Sequence, residues 1–234
     1  MKRLLATMHC DALLQVRNGF YSATAFVVLI WSLVLFQLPD LDFGWLLPAL
    51  VAGNLLLNTF YFVGGLVLLE KDEGTLEART VTPLRTREYL AAKGITLTLL
   101  ALVENLIIVA LFRGFRFDLL PLVAGIVLAS GIYVLAGFIA VVRYGSINEF
   151  LMPSVVYTSL LTFPLLPYLG QWEHGLLYLH PLQAPLVMLR AAFEPVPAWQ
   201  LIYSIGYGGA SITLAYIWSR RAFVHFVIAG ESRS

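Results

Sequence analysis

Between Glu70 and Arg79 the chain places the carboxylates Glu70, Asp72, Glu73 and Glu77 beside the cations Lys71 and Arg79. Carboxylates at this density either converge on a divalent cation through several oxygens or present a charged face to another protein. A second group, Asn54, Asn58, Glu104 and Asn105, lies in strongly apolar surroundings. Amides and a carboxylate so placed either hydrogen-bond across a helix interface or recognise a polar group on a passing molecule. A third group, Tyr157, Thr158, Thr162 and Phe163, combines rings and hydroxyls. Such a surface suits an amphipathic ligand and serves equally for helix packing.

The elements that hold these groups are set by an unusual composition. Of 234 residues, 59% are hydrophobic and 12% charged, and the mean hydropathy is +0.82. Soluble domains carry about twice that share of charge, so the chain reads as an all-α, polytopic membrane protein. A net charge of +1 provides no broad basic field for nucleic acid. One cysteine, Cys10, excludes an intrachain disulfide framework, and His9, His174, His180 and His225 lack the spacing of metal ligands.

Six apolar segments stand out, at Phe20–Leu38, Trp45–Leu69, Ile95–Phe112, Leu119–Val142, Phe150–Leu169 and Leu201–Trp218. Each has roughly 18–25 residues, enough for ~30 Å of hydrocarbon, and backbone groups in lipid must be satisfied within the segment, which makes these helices. With the N-terminus inside, the inner segments hold Lys2, Arg3, Arg17, Lys71, Arg79, Arg85, Arg87, Lys93, Arg143, Arg220, Arg221 and Arg233. The outer segments then hold only Arg113, Arg116 and Arg190 of the 15 basic residues. Both termini and the charged segment 70–93 are therefore expected in the cytosol of a protein in the cell membrane.

Residues 1–19 do not form a signal peptide, since Asp11 and Arg17 interrupt the apolar core. Thr7, Asp11, Gln15 and Asn18 fall on one helical stripe with apolar residues around the rest, the pattern of a helix lying in the membrane surface. The outer segment 170–200 contains Leu182–Phe193, too short to cross, and reads as re-entrant or surface-lying. Pro153, Pro164 and Pro167 predict a bent or broken outer third of the fifth span. Small residues four apart in the sixth span, Ser204 with Gly208 and Gly206 with Ala210, permit close helix contact. Counted from Leu69 and Lys93, the inner ends of spans two and three, Asn58 and Glu104 lie at the same depth, roughly 16 Å. Asn54 shares the face of Asn58.

The charged segment has internal structure. Gly74 to Thr80 has room for a short helix, Thr82-Pro83 breaks it, and Thr86 is placed to cap a new one. A short helix between two breaks is a rigid lever. The pattern Glu70, Glu73, Gly74, Thr75, Leu76, Glu77, then Val81, Thr82, Pro83, Leu84, then Glu88, Tyr89, Leu90, Lys93, Gly94, resembles the type-2 ATP-binding-cassette exporter permeases. Arg17-Asn18-Gly19-Phe20-Tyr21 and Arg143-Tyr144 ahead of Ser146-Ile147-Asn148-Glu149-Phe150 are most similar to the fluoroquinolone exporter branch.

The resemblance implies one permease domain over residues 1–234 with a surface helix, six spans and a re-entrant outer segment. It implies that Glu70, Glu73, Gly74, Thr75, Leu76, Glu77, Arg79, Thr82 and Pro83 belong to a coupling helix docking on a separate ATPase, present in two copies. The chain has no phosphate-binding loop of its own. ATP and Mg²⁺ then sit on that partner, no cofactor is bound here, and a second permease chain, identical or not, completes the transporter in the bilayer. Spans two and five would line the path, with Asn54, Asn58, Glu104, Tyr157, Thr158 and Phe163 as its candidate residues. The cargo stays open among drug-like, lipid-like, peptide and glycan molecules.

Two rival readings were weighed. A secondary transporter or channel leaves the lever without a purpose, and no inverted repeat is evident. A phosphatidyl-alcohol transferase would hold metal on Asp72, but its motif fails at Glu73, at Glu88 and in the spacing to Ala78-Arg79.

Overall fold

A computed structural model describes residues 2–37, 43–75, 86–172 and 174–228, and the regular structure of those residues is helical throughout. Helix α1 (Lys2–Arg17) is followed by a bend of 61° into α2 (Phe20–Phe36). Gly19 makes the bend at φ 75, a left-handed conformation that suits a residue without a Cβ. α3 (Phe43–Leu55) widens into a π-helical stretch, Leu56–Tyr61, and continues as α4 (Phe62–Asp72). The rod then stops: Gly74 takes φ 64 and its N–H bonds to the carbonyl of Lys71 at 3.0 Å, a glycine C-terminal stop.

α5 (Thr86–Arg113) and α6 (Leu119–Val141) are long and nearly uniformly apolar. α7 (Ile147–Thr162) starts on Ser146, whose side chain accepts from the Glu149 N–H, while Glu149 Oε2 accepts from the Gly145 N–H at 3.0 Å. Such reciprocal bonds satisfy helix-end donors. The helix breaks at Phe163-Pro164 and resumes only as the short α8 (Leu165–Leu169), where the prolines predicted a break. A 3₁₀ turn (Gly175–Leu179), the short α9 (Gln183–Arg190) and the long α10 (Ala198–Phe223), with a π-helical tail Val224–Ile228, complete the chain.

Among the described residues three helices, Gly44–Asp72, Thr86–Arg113 and Leu119–Val141, are long and apolar enough to cross a bilayer, four if α1 and α2 count as one bent span. The six-span expectation is met only to that extent. α2 has 17 residues, about 26 Å at 1.5 Å each, α7 has 16, and α10, with 26, is diluted by glycine, serine and tyrosine.

α6 is the central element. Ile126, Ala129, Tyr133, Phe138 and Val141 are all buried, and α6 packs on α3–α4, α5, α9 and α10. Inside lipid such packing rests on close backbone approach, which glycine supplies. A Cβ at Gly137 would lie 2.5 Å from Val63 Cγ1 and 3.0 Å from the Phe60 carbonyl oxygen. One at Gly125 would lie 2.8 Å from Leu189 of α9. α9 is thereby lodged in the bundle, with Ala184 through Leu189 buried. Of the two small-residue rows on α10, Ser204 and Gly208 are buried, Gly208 against Leu128, while Gly206 and Ala210 are exposed.

α1 adds to the sequence reading. The middle of its polar stripe turns inward: Asp11 and Gln15 are completely buried against α5, while Asn18 at the end of the stripe and Leu5, Leu13 and Val16 are exposed. The partners on α5 are Lys93 and Thr96, with Gln15 Nε2 donating to Thr96 Oγ1 at 3.0 Å. Polar groups at a membrane surface gain more from paired partners inside protein than apolar ones do, because the apolar face has lipid as an equally good solvent.

Candidate functional site

The acidic segment is not one exposed surface. Glu70 is 2% exposed and accepts from Lys93 Nζ at 2.8 Å and from the Tyr89 hydroxyl at 2.6 Å. Lys93 Nζ also donates to Asp11 Oδ1 at 3.2 Å. All of these side chains are buried, so the end of α4, the start of α5 and the middle of α1 are pinned at one point. Glu70, expected on the docking face, is therefore an internal anchor: its charge needs a buried cation, and α5 delivers one. Glu73 does stay at the surface, paired with Arg17 at 2.7 Å, and Asp72 is exposed. The three carboxylates thus face three different surroundings and do not converge as a metal site would require. Lys71 donates to the carbonyls of Val142 at 2.9 Å and Tyr144 at 2.8 Å, satisfying the C-terminal end of α6.

Gly74 and Thr75 lie at the root of the expected lever, where Thr75 Oγ1 donates to the Glu70 carbonyl at 3.1 Å. Leu76, Glu77, Arg79, Thr82 and Pro83, and with them residues 76–80 of the predicted helix from Gly74 to Thr80, lie outside the described residues.

The second group comes together as the depth count predicted. Asn54 Nδ2 donates to Glu104 Oε1 at 3.0 Å and to Asn105 Oδ1 at 3.2 Å, and Asn58 Nδ2 donates to Glu104 Oε2. All four residues are at most 1% exposed. Asn58 sits in the π-helical stretch and Asn54 one turn before it. That wide stretch lets both amides reach one carboxylate on α5.

The third group is separate. Thr158 approaches the Tyr61 hydroxyl at 3.4 Å and Tyr157 that of Tyr144 at 3.4 Å, while Phe163 is half-exposed. The six candidate path residues therefore form two sets, one between α3–α4 and α5, the other on α7. α7 leaves Met152, Val155, Val156 and Leu160 exposed beside its second set.

Sequence reasoning missed the joint between α7 and α9. His180 Nε2 lies 3.1 Å from the Leu160 carbonyl, and Nδ1 accepts from the Leu182 N–H at 3.2 Å. Nothing in a lone histidine of a loop signals this. Burial lowers its pKa below the ordinary 6.5, against the opposing effect of the Leu160 bond. The native state then binds fewer protons than the unfolded one, so its contribution to stability is complete above about pH 6.5 and is lost as pH falls from there through the lowered value. Amide exchange of residues 180–186, corrected for intrinsic rate, should be faster at pH 5.5 than at pH 7.5, and His180→Phe should abolish that difference. A nearby cavity of about 300 Å³ is lined by Trp45, Tyr168, Trp172, Tyr178 and Arg190 among others.

Residues 2–231 match the fluoroquinolones export permease protein family. Two curated relatives, the fluoroquinolones export permease proteins of Mycobacterium tuberculosis strains CDC 1551 and H37Rv, are each 37% identical over 210 residues, covering 88% of this chain and 89% of the relative.

Proposed function

We propose, from the premise that this chain belongs to the fluoroquinolones export permease family, that it is the membrane subunit of an ATP-driven exporter of amphipathic, drug-like molecules. The observation that carries this reading is a family match spanning both charged flanks of the lever and every apolar segment, residues 2–231. A separate ATPase in two copies supplies ATP and Mg²⁺, and a second permease chain completes the path. Six spans, both termini in the cytosol, a coupling helix within 70–93 and a re-entrant segment within 170–200 complete the proposed architecture. Fluoroquinolones, named for the relatives, are the first cargo to test.

The geometry supports a division of labour. The Asp11–Lys93–Glu70 cluster ties both roots of the lever to α1, so displacement of the lever moves α1, α4 and α5 together. ATP draws the ATPases together, and the membrane helices shift population toward an outward-open arrangement. The weakly covered α7, with Tyr157, Thr158 and Phe163, lines the path; the Asn54–Asn58–Glu104 set borders it from the α3–α4 rod.

Inside-out vesicles carrying the permease and its ATPase should accumulate a fluorescent fluoroquinolone when ATP is added, and vesicles lacking the ATPase should not. Uptake that follows an imposed ion gradient and ignores ATP would replace this reading with a secondary transporter.

A further inference from the structure

A groove of about 620 Å³ runs between α2 and α5, with Met8, His9 and Ala12 of α1 contributing to its wall. Tyr21, Thr24 and Val28 of α2 face Leu99, Val103 and Glu104 of α5 across it. Leu99 and Val103 are 51% and 57% exposed, so the groove opens sideways toward lipid. Its volume falls in the ~300–1,000 Å³ range of small-molecule sites.

Two polar features in this apolar wall lack what their surroundings require. Thr24 is 7% exposed and its hydroxyl has no hydrogen-bond partner. Glu104 is held by two neutral amides, and among the described residues no Lys, Arg or His pairs with it; the lining contains no Lys or Arg, and its one other ionisable side chain besides Tyr21 is His9 of α1. A carboxylate offers about four lone-pair sites, of which the two amides fill two; being 1% exposed, Glu104 meets a further donor only through the stretch of groove wall it helps to form. An ionisable group at membrane depth normally meets a partner or a cavity; here the cavity is present, and among the described residues no cation is bonded to Glu104.

We propose that this groove binds an amphiphilic amine from within the bilayer, its apolar body lying along α2 and α5 and its ammonium donating to Glu104 and Thr24. Charge complementarity selects the occupant. A phospholipid headgroup is excluded by depth: Glu104 lies near the middle of the apolar run Ile95–Phe112, roughly 14 Å from its inner end, whereas headgroups border a core ~30 Å thick. The purpose of the site, loading cargo sideways, rests on the exporter reading; the binding itself does not.

The test uses the purified full-length chain in lipid nanodiscs with two photoreactive diazirine probes of equal chain length, dodecylamine and dodecanol. Labelled peptides are quantified by mass spectrometry. The amine should label residues 21–28 and 96–107 at least ten-fold more than the alcohol. Glu104→Gln should bring the amine down to the alcohol's level, and Thr24→Val should lower it by about three-fold. Glu104→Gln retains the fold because Asn54 and Asn58 each hold a buried, unpaired carbonyl oxygen, and rotating one amide gives the new NH₂ an acceptor. Equal labelling by both probes would mean that acyl chains fill the groove, and an amine preference that survives Glu104→Gln would mean that another group holds the amine; either would overturn the proposal. Disulfide-linked dimers of Val103→Cys in a Cys10→Ser background would overturn it too, by showing that a second copy covers this face. Labelling needs no ATPase, so its failure counts against the groove alone; intact labelling without ATP-driven export counts against the exporter reading alone.

Discussion

Replacing Lys93 by methionine should lower stability by about 3–5 kcal/mol, the range measured when one partner of a buried ion pair is removed. Lys93 is completely buried and bridges Asp11 at 3.2 Å and Glu70 at 2.8 Å. Without it two carboxylates face one another away from water, and the fold must protonate one or open to hydrate both. Helix α1 is then the first element to detach, since Asp11 and Gln15 are its inward polar contacts. Thermal unfolding in mild detergent, followed by tryptophan fluorescence, measures the loss. Replacing the whole cluster, with Asp11→Leu, Glu70→Met, Tyr89→Phe and Lys93→Met together, should recover most of it, because a buried ionic set exchanged for apolar groups of similar volume is often close to neutral. A stable single variant combined with an unstable quadruple one would show that packing, and not charge pairing, holds this joint.

Scrambling residues 76–83 should reduce ATP-driven export at least ten-fold while leaving the folded protein intact. The two expectations separate because the lever and its anchor are different parts. Glu70 and Lys93 fix where the segment leaves and re-enters the bundle; Leu76, Glu77, Arg79, Thr82 and Pro83 supply the face offered to an ATPase. Export is measured in inside-out vesicles with the ATPase present, and folding by the thermal transition used for Lys93→Met. An unchanged export rate with a scrambled segment would remove the mechanical coupling from the proposal. Glu73→Gln is a milder companion. Its pair with Arg17 is exposed on both sides and therefore screened, so the variant should leave stability unchanged and report on docking alone.

The amide–carboxylate set was legible because helical rise is constant: equal distances from Leu69 and Lys93 place Asn58 and Glu104 at one depth whatever the packing. The break near Pro164 was legible for a similarly local reason, a ring acting on its own backbone, whereas the stop at Gly74, read from the sequence as the start of the short helix, was not. The stripe on α1 was legible as a stripe, but its direction was not. A helical wheel identifies a polar face without saying what covers it, and here the cover is α5, with Lys93 lying 82 residues from Asp11. The burial of Glu70 was hidden for the same reason: Asp72 and Glu73 close by in sequence are exposed, while its partners in space are Tyr89 and Lys93.

By itself the sequence determined an all-helical protein rich in long apolar helices, the break near Pro164, the equal distance of Asn58 and Glu104 from the ends of their helices and the clustering of charge between residues 70 and 93. Each of these follows from backbone geometry and from the cost of polar groups in hydrocarbon, which act residue by residue. Only the tertiary structure decided that α6 occupies the centre, that α1 turns its polar face inward, that the candidate path residues divide into two sets, and that a groove opens beside Glu104. Those outcomes depend on which helix faces meet, and in lipid that choice is governed by close backbone contact and by partners for scarce polar groups, quantities that exist only between elements distant in the chain.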